Sequence, residues 1–421
     1  MSLEDLIKQP RSIKETGIDA ELLIDLTLKH FYDCGALDLR QITDRMALAG
    51  TVMDSILESL RKDSKIEVLA AKDNSLGVRY QLTDLGRSEA KHAFLRSAYV
   101  GRVPISIEHY RQLVNEQSVF KCSVSKAQLF EDFMGVVIEA ELLDQLGPAI
   151  HSGRAIMIYG AAGSGKTFIC KRLARSLGAE VYLPYAISVG REVIQFYDPL
   201  IHHPVSGFTE NSSYQFETQI DKRFILCERP VAVSGGELNL ESLELKYDLV
   251  ARFSQAPIQL KANNGLYLVD DLGRQRISVN ELLNRWIVPM EEHVDYLTLG
   301  SGQHFSVPFD VVLVFSTNID PSGLLDDAFL RRLGYKIKFS EITKYAYSQI
   351  WAQYCVDKKM QLEEGVLEQV LEFYEAKQRS YFPCQPRDLL EIGRGIAKFN
   401  KENIISKEHM RLAWHTYFID L

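Results

Sequence analysis

Eight consecutive residues restrict this chain more than any other feature: Gly160-Ala161-Ala162-Gly163-Ser164-Gly165-Lys166-Thr167. They follow Ala155-Ile-Met-Ile-Tyr159, a run of buried-strand length, and lead into Phe168-Ile-Cys-Lys-Arg-Leu-Ala174, which continues with helical spacing. A strand that passes through G-x-x-x-x-G-K-[ST] into a helix is the setting of a phosphate-cradling P-loop. Its glycines let backbone N–H groups turn inward around phosphate oxygens, and the helix adds its positive N-terminal end. Lys166 supplies a mobile ammonium for the β- and γ-phosphates, and the Thr167 hydroxyl is a ligand for Mg²⁺.

Two further apolar runs end in polar groups. Gly265-Leu-Tyr-Leu-Val-Asp270-Asp271 reads as a buried strand closing on two acids about a hundred residues after the loop. Asp270 is placed to hold Mg²⁺, and Asp271 to orient or deprotonate an attacking water. Val311-Val-Leu-Val-Phe-Ser-Thr-Asn318 is a third such strand. From residue 126 to about 339 strand and helix signals alternate, the pattern of a parallel α/β sheet. Residues 341–421 read as helical throughout, a small lid.

The rest of the chain bounds the class. At 421 residues two or three domains are expected, and 46% apolar with 25% charged residues is a globular balance. No apolar run approaches the roughly 18 residues of a membrane span, and the first residues are acidic rather than those of a signal peptide, so no membrane insertion and a cytoplasmic location are expected. Six scattered cysteines without a C-x-x-C pair suit reduced thiols. Asn211-Ser-Ser213 matches a glycosylation sequon that has no meaning without secretion.

Residues 19–96 carry three helical stretches and then two strands, 66–69 and 78–82, around a turn at 73–77. This order looks like a winged helix. Its second short helix, 51–60, would enter a DNA groove, yet it carries Asp54 and Glu58 and no base before Arg61-Lys62. With a net charge of −8, duplex DNA is disfavoured as a partner and a protein-docking role is favoured. Residues 98–123 read as a linker.

Taken in order, Gly160 to Thr167, Asp270-Asp271, Ser316-Thr-Asn318, Leu325-Asp-Asp-Ala-Phe-Leu-Arg331-Arg332 and Gln385-Pro-Arg387-Asp-Leu389 resemble the motifs of AAA+ ATPases: Walker A, Walker B, sensor 1, arginine finger and sensor 2. Leu129-Phe-Glu-Asp-Phe-Met-Gly135 is similar to the AAA+ lead-in that lines the adenine pocket. The resemblance covers residues 124–421. It implies an α/β P-loop core over 124–340 and a helical lid over 341–421, beside the winged-helix-like domain read over 1–97. It further implies ATP and Mg²⁺ as cofactors, with Gly135 and Phe168 joining the loop against the nucleotide. Asn318 would sense the γ-phosphate and position the water. Arg387 would reach the phosphates from the lid. Arg331 or Arg332 would enter a neighbouring subunit's site, which implies a homo-oligomeric ring, with a hexamer as one size; an ordinary solvated helix end is the alternative for that pair.

Two departures accompany this pattern. Walker B ends Asp-Asp rather than Asp-Glu, one methylene shorter at Asp271, which makes hydrolysis less secure than binding. Long insertions, one of about seventy residues after a strand at 181–189 and one over 287–308 with a hairpin at Tyr296-Leu-Thr-Leu, resemble those of the MoxR-like and enhancer-activator branches. His202-His203 lacks a third metal ligand nearby and reads as structural. Tyr214 and Phe216 read as local core or as a loop gripping a client. Arg274-Gln275 reads as a helix start or as a contact to nucleotide across an interface. The expected function is ATP hydrolysis that remodels or assembles a protein client. An ATP-switched DNA-binding regulator and a nucleotide-gated scaffold with little hydrolysis stand as alternatives.

Overall fold

The computed structural model describes residues 2–69, 78–178, 180–205, 220–325 and 327–418. The turn at 73–77, the sequon and the Tyr214–Phe216 pair lie outside the described residues.

Near the N-terminus α1 (Ala20–Cys34) begins at Asp19, whose carboxylate accepts from the Glu21 N–H, and ends at Gly35. Then come β1 (Leu37–Asp38), α2 (Leu39–Met46), α3 (Gly50–Lys62), β2 (Ile66–Leu69), β3 (Arg79–Leu82) and α4 (Asp84–Arg96). The three strands form an antiparallel sheet in the order β1-β3-β2. Helix α3 buries Val52, Met53, Ile56, Leu57 and Leu60, the one-sided spacing that makes an amphipathic stretch a helix against a core. The stretch read as a linker holds β4 (Ile105–Ser106) and α5 (Ile107–Glu116), with Tyr110, Leu113 and Val114 buried. It is a packed element because its apolar face needs burial like any other.

Onward run α6 (Lys126–Asp132), α7 (Ala140–Ser152), β5 (Ile156–Tyr159) and α8 (Lys166–Leu173), followed by β6 (Val181–Pro184), β7 (Ala186–Val189), β8 (Glu192–Gln195), β9 (Phe224–Cys227), β10 (Val231–Ser234), β11 (Lys246–Tyr247) and β12 (Ser254–Gln255). Residues 181–189, read as one strand, form two. The reason lies at Tyr185: its N–H donates to the Arg223 carbonyl, while its own carbonyl accepts from Phe196 and Tyr197. Strand β6 therefore pairs with β9, and β7 pairs with β8.

The chain continues through β13 (Gly265–Val269), α9 (Val279–Glu292), the hairpin β14 (Val294–Thr298) and β15 (His304–Pro308), β16 (Val311–Thr317), α10 (Asp327–Arg332), β17 (Tyr335–Lys338), α11 (Lys344–Asp357), α12 (Val366–Ala376), α13 (Gln385–Phe399) and α14 (Lys407–Tyr417). The hairpin stands where Tyr296-Leu-Thr-Leu indicated one, in register from Val294 opposite Pro308 to Thr298 opposite His304. No helix among the described residues is long and apolar enough to cross a membrane.

Two compact units result. The first joins Met1–Ser123 with Leu177–Tyr267 and Gln275–Val312; the second joins Val124–Ser176, Leu268–Arg274 and Leu313–Leu421. These limits cut across the linear segments 1–97, 98–123 and 124–340. In the first unit one core gathers Leu6, Ile105 and Tyr110 with Leu183, Phe196 and Phe224, residues from three distant parts of the chain. In the second unit β5 pairs in parallel with β16 on one side and β17 on the other, and β13, whose last residues Leu268 and Val269 belong to this unit, neighbours β16. Its helices α11 to α14 close on a separate aromatic core that includes Tyr347, Trp351, Tyr374 and Trp414.

In the first unit the ion pair of Arg223 and Asp221, N–O 2.8 Å, is 1% and 0% exposed. The same guanidinium donates to the carbonyls of Thr16 and Pro104. Replacing Asp221 with alanine leaves this cation buried with carbonyls only, a change that costs about 3–5 kcal/mol. Urea denaturation of D221A should show that loss as a lowered midpoint, whereas an unchanged midpoint would contradict the pair's structural role.

Candidate functional site

Strand order decides which side chains meet. Because β16 lies between β5 and β13, the residues just past its end stand between those following the other two. The P-loop follows β5, the acids follow β13 and Asn318 follows β16. All of these residues belong to the second unit.

Lys166 sits at the centre, 7% exposed. Its ammonium donates to the carbonyls of Gly160 at 2.8 Å and Ala161 at 3.0 Å and to Asn318 Oδ1 at 2.6 Å, with Ser164 Oγ at 3.4 Å. Asn318 uses its other end to donate to Asp271 Oδ1 at 3.0 Å. Thr167 Oγ1 donates to Asp270 Oδ2 at 2.5 Å, and the Asp271 N–H donates to Asp270 Oδ1 at 3.0 Å. Burial pushes the Lys166 ammonium below the ordinary lysine range, while Asp270 and Asp271 pull it back up.

The backbone that holds the acids is itself constrained. Asp271 adopts φ 52°, an uncommon left-handed conformation for a residue with a side chain. The turn is pinned to β16 on both sides of Leu272: its N–H donates to the Ser316 carbonyl at 2.8 Å, and its carbonyl accepts from Thr317 Oγ1 at 2.8 Å.

These groups line a cavity of about 920 Å³. Ala162, Gly163, Ser164, Gly165, Lys166, Thr167 and Phe168 face it, as do Asp270, Asp271, Asn318, Gly135 and Arg387. Gly160 and Ala161 do not; their carbonyls are engaged by Lys166. Arg387 pairs with the adjacent Asp388 at 2.8 Å. Arg331 and Arg332 are exposed at the end of α10 and are not part of the cavity wall.

Sequence reading did not single out Val137, Ile138, Ile350, Gln353 or Cys384, which also line the cavity. Gln353 donates to the Gly135 carbonyl at 2.6 Å. Side chains that only line a cavity beside a phosphate loop carry no motif, so only the fold gathers them. Arg274 also lines the cavity, in the chain's own site. His202 is buried, with Nδ1 accepting from the Asp198 N–H and Nε2 donating to the Lys261 carbonyl, so neither nitrogen is left for a metal. Among the described residues no group of three or more His, Cys, Asp or Glu side chains is gathered as a metal site. The pair of Thr167 hydroxyl and Asp270 carboxylate, both hard oxygen donors, nonetheless suits Mg²⁺ held partly by phosphate and water.

The architecture is α/β: a parallel sheet with a P-loop between β5 and α8, and a helical C-terminal region. Solved structures similar to the chain include RuvB from Thermotoga maritima, described as a Holliday junction branch migration motor, at 13% identity over 72% of this chain and 74% of that one, with a TM-score of 0.37. A point mutant of the same RuvB matches with a TM-score of 0.40 at the same identity. NtrX from Brucella abortus matches at 10% identity over 77% of this chain and 59% of its own, with a TM-score of 0.39. A domain family of unknown function (DUF8689) matches residues 343–416. A search of curated protein sequences found no match.

Glycine at the head of the loop is a steric requirement. Gly160 has φ 147°, and a Cβ there would collide with the Phe339 carbonyl. Exposed Gly395, inside α13, has nothing within 4 Å of the same atom. G160A should therefore lose at least about 1–3 kcal/mol, whereas G395A should gain about 0.5–1 kcal/mol. Thermal melts of the two variants should move in opposite directions.

Proposed function

We propose that this chain is an ATP hydrolase that acts as a homo-oligomeric ring and uses nucleotide turnover to remodel or assemble a protein client. The observation that supports this best is the set of hydrogen bonds joining Lys166, Asn318 and Asp271 beside the Thr167–Asp270 pair, in one cavity with the loop amides.

The chemistry follows from those contacts. The N–H groups of the loop grip the β- and γ-phosphates, and Lys166 exchanges its carbonyl partners for phosphate oxygens. Thr167 and Asp270 would hold Mg²⁺, which supplies charge neutralisation on the triphosphate when bound. Asp271 accepts a proton from the attacking water as the water oxygen bonds to the γ-phosphorus and the bond to the bridging oxygen breaks, leaving ADP and phosphate. Asn318 fixes the Asp271 carboxylate for that step. Arg387 releases Asp388 to reach the phosphates, and Arg331 or Arg332 completes the site of a neighbouring subunit. Gly135, Phe168 and the apolar lining enclose the base. In this reading residues 1–97 form a winged-helix-like docking domain, and the insertions favour a likeness to the MoxR-like branch. Duplex DNA is disfavoured because the exposed face of α3 presents Asp54 and Glu58, with Lys62 tied to Glu58 at 3.1 Å.

Binding of labelled ATP with magnesium and its turnover should separate these roles. The Lys166 ammonium contributes charge-assisted hydrogen bonds, so K166A should weaken binding roughly 10- to 150-fold. D271N should keep affinity within about threefold while turnover falls at least about 100-fold. Turnover per subunit should rise with protein concentration and collapse in R331A or R332A. Turnover that ignores concentration and survives both arginine variants would overturn the shared site. Firm ATP binding with negligible turnover would favour a nucleotide-gated scaffold.

A further inference from the structure

Residue Cys384 lies just ahead of α13, the helix that carries Arg387, and rests directly on the P-loop. Its N–H donates to the Gly163 carbonyl at 3.3 Å, and its Sγ occupies the space a Cβ on Gly163 would need. Pro383 reaches the same loop, 4.0 Å from the position of a Cβ on Gly165. On its other side the Cys384 sulfur lies 3.8 Å from the Tyr417 hydroxyl. That hydroxyl donates its only proton to Asp388 Oδ2 at 3.3 Å, so the thiol is the donor in the sulfur contact. Asp388 is the carboxylate that pairs with Arg387. A continuous path thus runs from the P-loop backbone through Cys384 and Tyr417 to the partner of Arg387. Burial keeps the Cys384 thiol protonated by raising its pKa above the ordinary thiol value, as a donor in this path requires.

We propose that Cys384 is a positioning residue that couples the P-loop to Arg387, so that phosphate entering the loop moves the lid helix through the Gly163–Cys384 contact. The inference rests on the reading of the cavity as an ATP site. A loop drawn onto phosphate shifts its Gly163 carbonyl, and Cys384 follows because it is both hydrogen-bonded and in van der Waals contact there. The same shift disturbs the Tyr417–Asp388 contact and frees Arg387 from its carboxylate. Sequence alone cannot show this, since the two residues are more than two hundred positions apart.

A double-substitution cycle on the full chain tests the contact, with magnesium–ATP affinity as the readout. G163A should weaken binding in the native background, and C384A, which removes the colliding sulfur, should reduce that penalty by about fivefold or more. The backbone strain of alanine at φ 81° is common to both backgrounds and cancels. Turnover gives a readout that bulk packing would not move. R387A should lower saturated turnover far more in native protein than in C384A, and C384S, which keeps a hydrogen-bond donor, should behave as native. Should G163A not fold, C384L and C384S carry the test, with leucine lowering saturated turnover at least about fivefold and serine leaving it within about twofold. Additive effects in the cycle, or equal turnover for C384L and C384S, would overturn the coupling. Failure of native protein to bind magnesium–ATP at all would instead overturn the nucleotide reading beneath it.

Discussion

A buried ammonium must be surrounded by acceptors, and Lys166 meets that demand with two carbonyls of its own loop and the Asn318 carboxamide. Much of the site's geometry follows from this. To supply the carbonyls the loop must curl back over the start of α8, which is why Gly160 takes a conformation and a closeness to Phe339 that no side chain permits. To supply the carboxamide, β16 must lie beside β5 and end level with it, which the parallel register of Thr317 opposite Tyr159 achieves. Asn318 then has an amide left over, and that amide is what holds Asp271.

The shorter second acid gains a physical context from that arrangement. An aspartate reaches less far than a glutamate, and here its backbone lies at φ 52° in a turn clamped by Ser316 and Thr317. Left-handed geometry costs a side-chain-bearing residue of order 1–3 kcal/mol and persists only where neighbours enforce it. The carboxylate's position is therefore set by the β16 clamp as much as by side-chain length. A fixed carboxylate needs little reorganisation to serve a water, which is the condition for a shorter acid to work at all.

How far the sequence carried the structure differs by region, for identifiable reasons. The P-loop was legible because strand, glycine spacing, lysine and helix are contiguous, and every condition could be checked locally. The helix expected over 51–60 was legible because amphipathic spacing is local too, and α3 runs over Gly50–Lys62. The strand break at Tyr185 was not, since it is imposed by hydrogen bonds to Arg223, Phe196 and Tyr197. Nor was the union of residues 1–123 with 177–267 and 275–312, because Leu6, Ile105 and Phe224 share a core that no spacing announces. Asn318 and Asp271 were expected at the site, yet their direct bond to each other was not.

This contrast explains why motif positions and cavity walls differ in how readily they are read. A group that handles phosphate must be one of a few residue types, so its identity is informative wherever it falls. A group that only lines a cavity has to be apolar and near, so Val137 or Ile350 is indistinguishable in sequence from any core residue. Cys384 belongs with neither class. Its sulfur fits because Gly163 has no Cβ, so the information sits in a pair of residues and in neither one alone. The proposed coupling between the P-loop and α13 needs just such a pair, since a contact that tolerates no extra atom transmits small displacements that a loose one absorbs.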